Sequence, residues 1–202
     1  MFRRALLAAI AGSALFGFTL SGAAIAQGGG ATQDVPPAAP MKLDPQNTVY
    51  LDLSGGRVVI RLRPDLAPKM VDRVKQLCRD GFYDNTPFHR VIEGFMAQGG
   101  DPSGTGEGGS KYPNVPAEFS SSAHFLRGTL GAARSGDPNS ANSQFFIMFA
   151  PGASLDGQYT IFGNVVSGME FVDKIKRGDP DANGRVDTPD RIVHMRVAAD
   201  VK

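Results

Sequence analysis

Alternation of apolar and polar side chains first becomes regular at Thr48. Val49, Leu51 and Leu53 fall on one face of the run 48–53, and Val58, Ile60 and Leu62 on one face of the run 58–62. A period of two is that of a half-buried strand. Ser54-Gly55-Gly56-Arg57 between the runs supplies the glycines of a tight hairpin. The period then lengthens. After Pro68, a residue suited to a first helical turn, Val71, Val74, Leu77 and Cys78 share one side and Gly81 closes the pattern, which predicts an amphipathic helix. On that buried side Cys78 reads as a small core residue rather than a reactive thiol.

Residues 88–101, FHRVIEGFMAQGGD, read as a strand ending in a Gly-Gly turn. Alternation puts Arg90, Ile92, Gly94, Met96 and Gln98 on one face and His89, Val91, Glu93 and Phe95 on the other. A bulge or bend at Gly94 would bring Phe95 round to Arg90 and Gln98. A fixed cation, an amide able to hold it and an apolar shelf make a binding cleft, with no nucleophile or metal-ligand set in evidence.

Gly104, Gly106 and Gly109 match G-x-G-x-x-G, but no helix follows to aim N–H groups at a phosphate, so 102–112 is read as a flexible loop. In 125–149 two apolar ends flank a polar loop, and Ser143-Gln144 leads into the continuous apolar run 145–149. Alternation there sends one of Phe145 and Phe146 outward. Met169, Val172 and Ile175 predict a second helix stopping at Gly178, and 191–197 alternates as a last strand. Many short strands with two helices predict a mainly β chain closed into a barrel, the helices covering its ends.

Composition sets the boundaries. Residues 1–26 carry Arg3 and Arg4, an apolar run to Leu20, then Ala24-Ile25-Ala26, the order of a secretory signal peptide. The protein is therefore expected to be periplasmic or secreted, with no stable membrane insertion once the leader is removed. Residues 27–43 are mostly Gly, Ala and Pro and read as a tether, leaving 44–202 as the folded domain. A chain of 202 residues that is 42% hydrophobic can bury one core. Without the leader, nineteen Lys and Arg face twenty Asp and Glu, so no basic excess points to nucleic acid. One cysteine excludes an internal disulfide and any multi-cysteine zinc site. Asp179, Asp181, Asn183, Gly184, Asp187 and Asp190 fit the spacing of a calcium loop. However, Asp190 is shorter than the usual last ligand, and a polar helix-to-strand connection is the preferred reading.

Three blocks in order, FHRVIEGFMAQGGD, NSQFFI (142–147) and LDGQYTIFG (155–163), resemble the cyclophilin-type peptidyl-prolyl cis/trans isomerases over roughly residues 45–200. The resemblance implies an eight-stranded antiparallel barrel capped by two helices, acting on proline-containing polypeptides without a cofactor; a monomer is expected. Carried over by position, Arg90 is the implied catalytic arginine and Gln98 its hydrogen-bonding neighbour. Phe95, Met96, Phe146 and Leu155 would form the proline pocket, and Ala133 and the backbone of Arg134 would meet the neighbouring substrate residues. Tyr159 would stand at the pocket rim where many eukaryotic members carry histidine. Ser154 occupies the place of a tryptophan that helps them bind cyclosporin.

Overall fold

The computed structural model describes residues 42–202. The expected leader, 1–26, lies outside the described residues, as does the expected tether, 27–43, apart from Lys42 and Leu43.

Strand β1 (Thr48–Leu53) pairs antiparallel with β2 (Gly56–Leu62), closing on the two-residue loop Ser54-Gly55. Gly56 has φ +147°, and a Cβ there would lie 2.5 Å from the Phe171 ring. Val49, Leu51, Val58 and Ile60 are fully buried, as their alternation predicts.

Helix α1 (Pro68–Arg79) buries Met70, Val71, Val74, Leu77 and Cys78. Burial pushes the Cys78 thiol up to about 12, so it stays protonated. The helix ends in a Schellman arrangement: Phe82 N donates to Leu77 O (3.0 Å) and Gly81 N to Cys78 O (3.2 Å), with Gly81 at φ +67°. At its start the residue before Pro68, Ala67, has no side chain that can cap. Glu118, far along the chain, fills that role: its carboxylate accepts from Lys69 N (3.0 Å) and Met70 N (2.9 Å).

The remaining strands are β3 (Arg90–Ile92), β4 (Met96–Gly99), β5 (Thr129–Ala132), β6 (Phe145–Met148), β7 (Ile161–Ser167) and β8 (His194–Val197). All eight join one antiparallel sheet in the order β3-β4-β6-β5-β7-β2-β1-β8. The sheet curls into a half-barrel around the main core. Its edge strands, β3 and β8, share no ladder. Irregular chain crosses the seam instead, through Asn85 N to Ile192 O (2.8 Å), Phe88 N to Asp190 O (2.9 Å) and Ile192 N to Thr86 O (3.0 Å).

Three local expectations are corrected. Residues 88–101 do not form one bent strand; the chain folds back on itself at Gly94 (φ +68°) as a hairpin, pairing Arg90 with Gln98 and Ile92 with Met96. The second helix, α2 (Met169–Val172), is a single turn. The N–H of Lys176 goes to the Asp190 carboxylate (2.7 Å) rather than back along a helix, which turns the chain away before Gly178. The last strand starts at His194, not Arg191, because Ile192 is engaged across the seam and the chain changes partner to β1 at Val193.

Because Glu118 satisfies two N-terminal N–H groups and sits at the positive end of the helix dipole, Glu118→Ala should lower unfolding free energy by about 1–2 kcal/mol in urea denaturation. An unchanged denaturation midpoint would show the cap to be idle.

Candidate active site

The outer face of the half-barrel carries its own apolar cluster, separate from the main core: Met96, Phe125, Phe146, Met148 and Ile161. All four residues of β6 are therefore buried, Phe145 and Ile147 inward and Phe146 and Met148 in the outer cluster. Phe146 can lie flat over β5 only because residue 131 is glycine. A Cβ there would fall 2.3 Å from the Phe146 ring and 2.7 Å from that of Phe125. Phe125 stacks on Phe146 (centroids 5.6 Å, 26°) and Tyr159 meets it edge-on (5.8 Å, 84°).

Above this floor is a pocket of about 210 Å³. The nine site residues singled out in the sequence all line it. Arg90 comes from β3, Phe95 from the hairpin turn, Met96 and Gln98 from β4, and Phe146 from β6. Ala133 and Arg134 follow β5, Leu155 ends a 3-10 turn, and Tyr159 precedes β7. The Arg134 guanidinium lies 4.5 Å from the centre of the Tyr159 ring and donates to the backbone oxygens of Gln158 (3.0 Å) and Ser135 (2.8 Å).

Arg90 is held entirely by neutral acceptors. Its Nε donates to Asn183 O (3.0 Å), Nη2 to Asn183 Oδ1 (3.0 Å) and Nη1 to Gln98 Oε1 (3.2 Å). One N–H on each terminal nitrogen is left without an acceptor among the described residues. Burial pulls the guanidinium down from its ordinary value, with Tyr159 acting the other way, and from so high a start it remains charged at neutral pH. Glu93, the nearest acid in sequence, pairs with Arg177 instead.

Two further residues complete the site, and neither was assigned to it from the sequence, where Asn183 figured only in the calcium-loop spacing. Gln144 takes the Gln98 amide N–H on Oε1 (2.9 Å) and donates through Nε2 to Gly106 O (2.9 Å) and Gly108 O (2.8 Å). Asn183, in the left-handed region at φ 55°, brings backbone and side-chain oxygens together onto Arg90. The clues were an N-G pair at 183–184 and an amide at the mouth of an apolar strand.

The loop that supports Gln144 is tied down. Asp101, fully buried, accepts from Ser103 N (2.8 Å), Ser103 Oγ (2.7 Å), Gly106 N (2.7 Å) and Gly108 N (3.1 Å). A Cβ on Gly108 would lie 2.1 Å from Asp101 Oδ1. The glycine-rich segment read as a flexible loop is thus a loop, but one wrapped on a carboxylate. Burial alone would raise the Asp101 carboxyl, yet the hydrogen bonds from Ser103, Gly108 and Gly106 outweigh it and hold the group below its ordinary value.

Three of the candidate calcium ligands are otherwise engaged: Asp179 Oδ1 accepts from Asp181 N (2.8 Å), Asp190 from Lys176 N, and Asn183 holds Arg90. Among the described residues no three His, Cys, Asp or Glu side chains converge as a metal site.

Residues 48–197 match the family model described as cyclophilin type peptidyl-prolyl cis-trans isomerase/CLD. The chain belongs to this family of isomerases. A probable peptidyl-prolyl cis-trans isomerase of Brucella suis is 55% identical over 170 residues, covering 79% of this chain and 86% of that one. The isomerase ppi1 of Schizosaccharomyces pombe is 40% identical over 148 residues, 72% of this chain and 95% of its own. Among solved structures, a cyclophilin from Hirschia baltica is similar with a TM-score of 0.71 at 26% identity, covering 79% of this chain and 77% of that one. A Cryptosporidium parvum cyclophilin solved in the presence of the dipeptide Ala-Pro gives a TM-score of 0.68 at 30% identity, covering 74% and 98%.

A carboxyl held low in the folded cyclophilin domain contributes stability above its unfolded value of about 3.9, and that contribution is lost as pH falls through the lower folded value. Asp101→Asn should therefore melt lower than wild type at pH 7, by about 1–3 kcal/mol of unfolding free energy. The gap should narrow below about pH 4. Melting curves that keep a constant gap from pH 7 to pH 2 would remove the carboxylate charge from this role.

Proposed function

We propose that the domain accelerates rotation about X-Pro bonds in exported polypeptides as they fold, with Arg90 stabilising the twisted amide. The observation that carries this reading is a charged guanidinium, anchored without a counter-ion, with two N–H donors unused beside an apolar slot of about 210 Å³. The amide barrier is about 18–20 kcal/mol because resonance holds the bond planar. No bond breaks, so the enzyme has only to bind the twisted form better than either planar one.

In the twisted state the proline nitrogen pyramidalises and gains a lone pair. An Arg90 N–H meets that lone pair, and the charge strengthens the hydrogen bond. Phe146, Met96, Phe95 and Leu155 grip the ring while the preceding carbonyl swings, so orientation is fixed before rotation begins. Gln98 and Asn183 keep the guanidinium from following the substrate. A hundred-thousandfold acceleration needs about 7 kcal/mol, which one charge-assisted bond and substrate fixation together can supply. The domain works as a monomer on this reading, since one chain contributes every residue named.

Export rests on the leader-like order of residues 1–26. Mass spectrometry of protein recovered from a secreting bacterial host should find an N-terminus at Gln27. An intact Met1 on the recovered protein would refute export by cleavage.

In a coupled assay on a short X-Pro peptide, Arg90→Ala should lower kcat/KM by about 10²–10³-fold, the range for removing one donor from a preorganised site, with a melting temperature close to wild type. Arg90→Lys should not restore the rate, because an ammonium lacks the guanidinium's fork of donors. Undiminished turnover in Arg90→Ala would eliminate the arginine from the mechanism.

A further inference from the structure

Among the described residues, six arginines that do not line the pocket are each paired with a carboxylate, as Arg57 is with Asp52 and Arg196 with Asp84. Arg73, Arg134 and Arg191 instead meet a ring or backbone oxygens, and Arg90 and Arg185 are likewise without a carboxylate. Both border a second cleft, of about 610 Å³, that shares Arg90 and Gln98 with the proline pocket and opens on the other side of them. Its walls are the 103–106 segment of the loop held by Asp101 and the turn around Asn183. No carboxylate lines it.

Arg185 is anchored at its root and loose at its tip. Its backbone N donates to Ala182 O (3.1 Å) and its carbonyl accepts from Asp179 N (2.9 Å), and it bridges to Arg90 across the seam. Its exposed side chain meets no acceptor, carboxylate or ring among the described residues. His89 also lines the cleft and is only 6% exposed. The Asp101 carboxylate nearby is already taken by the loop's own N–H and hydroxyl groups.

A concave surface with two unneutralised guanidinium groups and no acid focuses positive potential. We infer that this cleft is a subsite for an acidic side chain, an Asp or Glu of the client polypeptide close to the isomerising proline, and that Arg185 recognises it. The inference rests on the neighbouring pocket being the proline site: a chain leaving that pocket past Arg90 and Gln98 enters the cleft. The enzyme is then selective for proline segments flanked by negative charge.

The test uses pairs of X-Pro peptides with Glu or Gln at each of the two positions before and the two after the proline. At low salt the wild-type domain should favour Glu over Gln in kcat/KM by roughly threefold at one of these positions, the upper range for an exposed charge pair. That ratio should fall towards one at about 1 M salt, where screening is nearly complete. Arg185→Gln should bring the ratio to one, Arg185→Glu should invert it, and Arg185→Lys should retain it. A merely structural role for Arg185 would change all peptides alike and leave the ratio untouched. Equal rates for every Glu and Gln pair in the wild type, or a preference that survives Arg185→Glu, would overturn the subsite while leaving the isomerase reading intact. Calorimetric titration of the same peptides reads the preference independently of turnover. Equal affinities there would overturn it as well.

Discussion

A cation that must remain available cannot be held by an anion. A carboxylate beside Arg90 would fix it firmly, but it would also quench the charge and occupy the donors that, on the proposed mechanism, a weakly basic amide nitrogen needs. Amide oxygens hold a guanidinium more gently and leave its net charge in place. Much of the surrounding structure follows from that choice. Gln98 must be oriented, so Gln144 takes its N–H; Gln144 must be oriented, so two loop carbonyls take its own; the loop must stay put, so it wraps on a buried Asp101. The charge that is kept away from Arg90 is thus placed one layer further back, where it orders the backbone.

The same half-barrel builds two apolar regions on opposite faces of one sheet. The interior is filled by inward residues such as Leu51, Ile60, Phe88 and Phe145, all fully buried, so binding has to take place outside. On the outer face Phe125, Phe146 and Met148 form a floor that needs the missing side chain of Gly131 and, at Gly152, room for the Met148 methyl, which a Cβ would approach to 2.7 Å. Pocket depth is therefore written partly in glycines, whose contribution is an atom that is not there.

Local periodicity made the first hairpin and α1 readable, because Val49, Leu51, Val71 and Leu77 bury themselves against one core. It misread residues 88–101, since a glycine that bends a strand and one that reverses it leave the same mark in a sequence; pairing of Arg90 with Gln98 is a fact about two strands, not one. α2 was overlong in expectation because the residue that diverts it, Asp190, lies fourteen positions away and acts through its side chain. Of the nine pocket residues, Arg90, Gln98 and Phe95 were grouped by alternation and the glycine at 94, whereas the full set was legible only through resemblance to a family. Gln144 and Asn183 were missed because their importance lies in what their oxygens touch across the fold, and Glu118 for the same reason.

Strand β1 lies between β2 and β8, so the segment that opens the domain is hydrogen-bonded to the one that closes it. Until the final strand emerges from the ribosome, β1 has an unpaired edge and the seam formed by residues near 191 has nothing to join. Contacts of such long sequence separation are slow to form. Synthesis from the N-terminus therefore yields a chain that cannot complete its sheet early, a property that fits the proposed export, in which a polypeptide crosses a membrane before it folds.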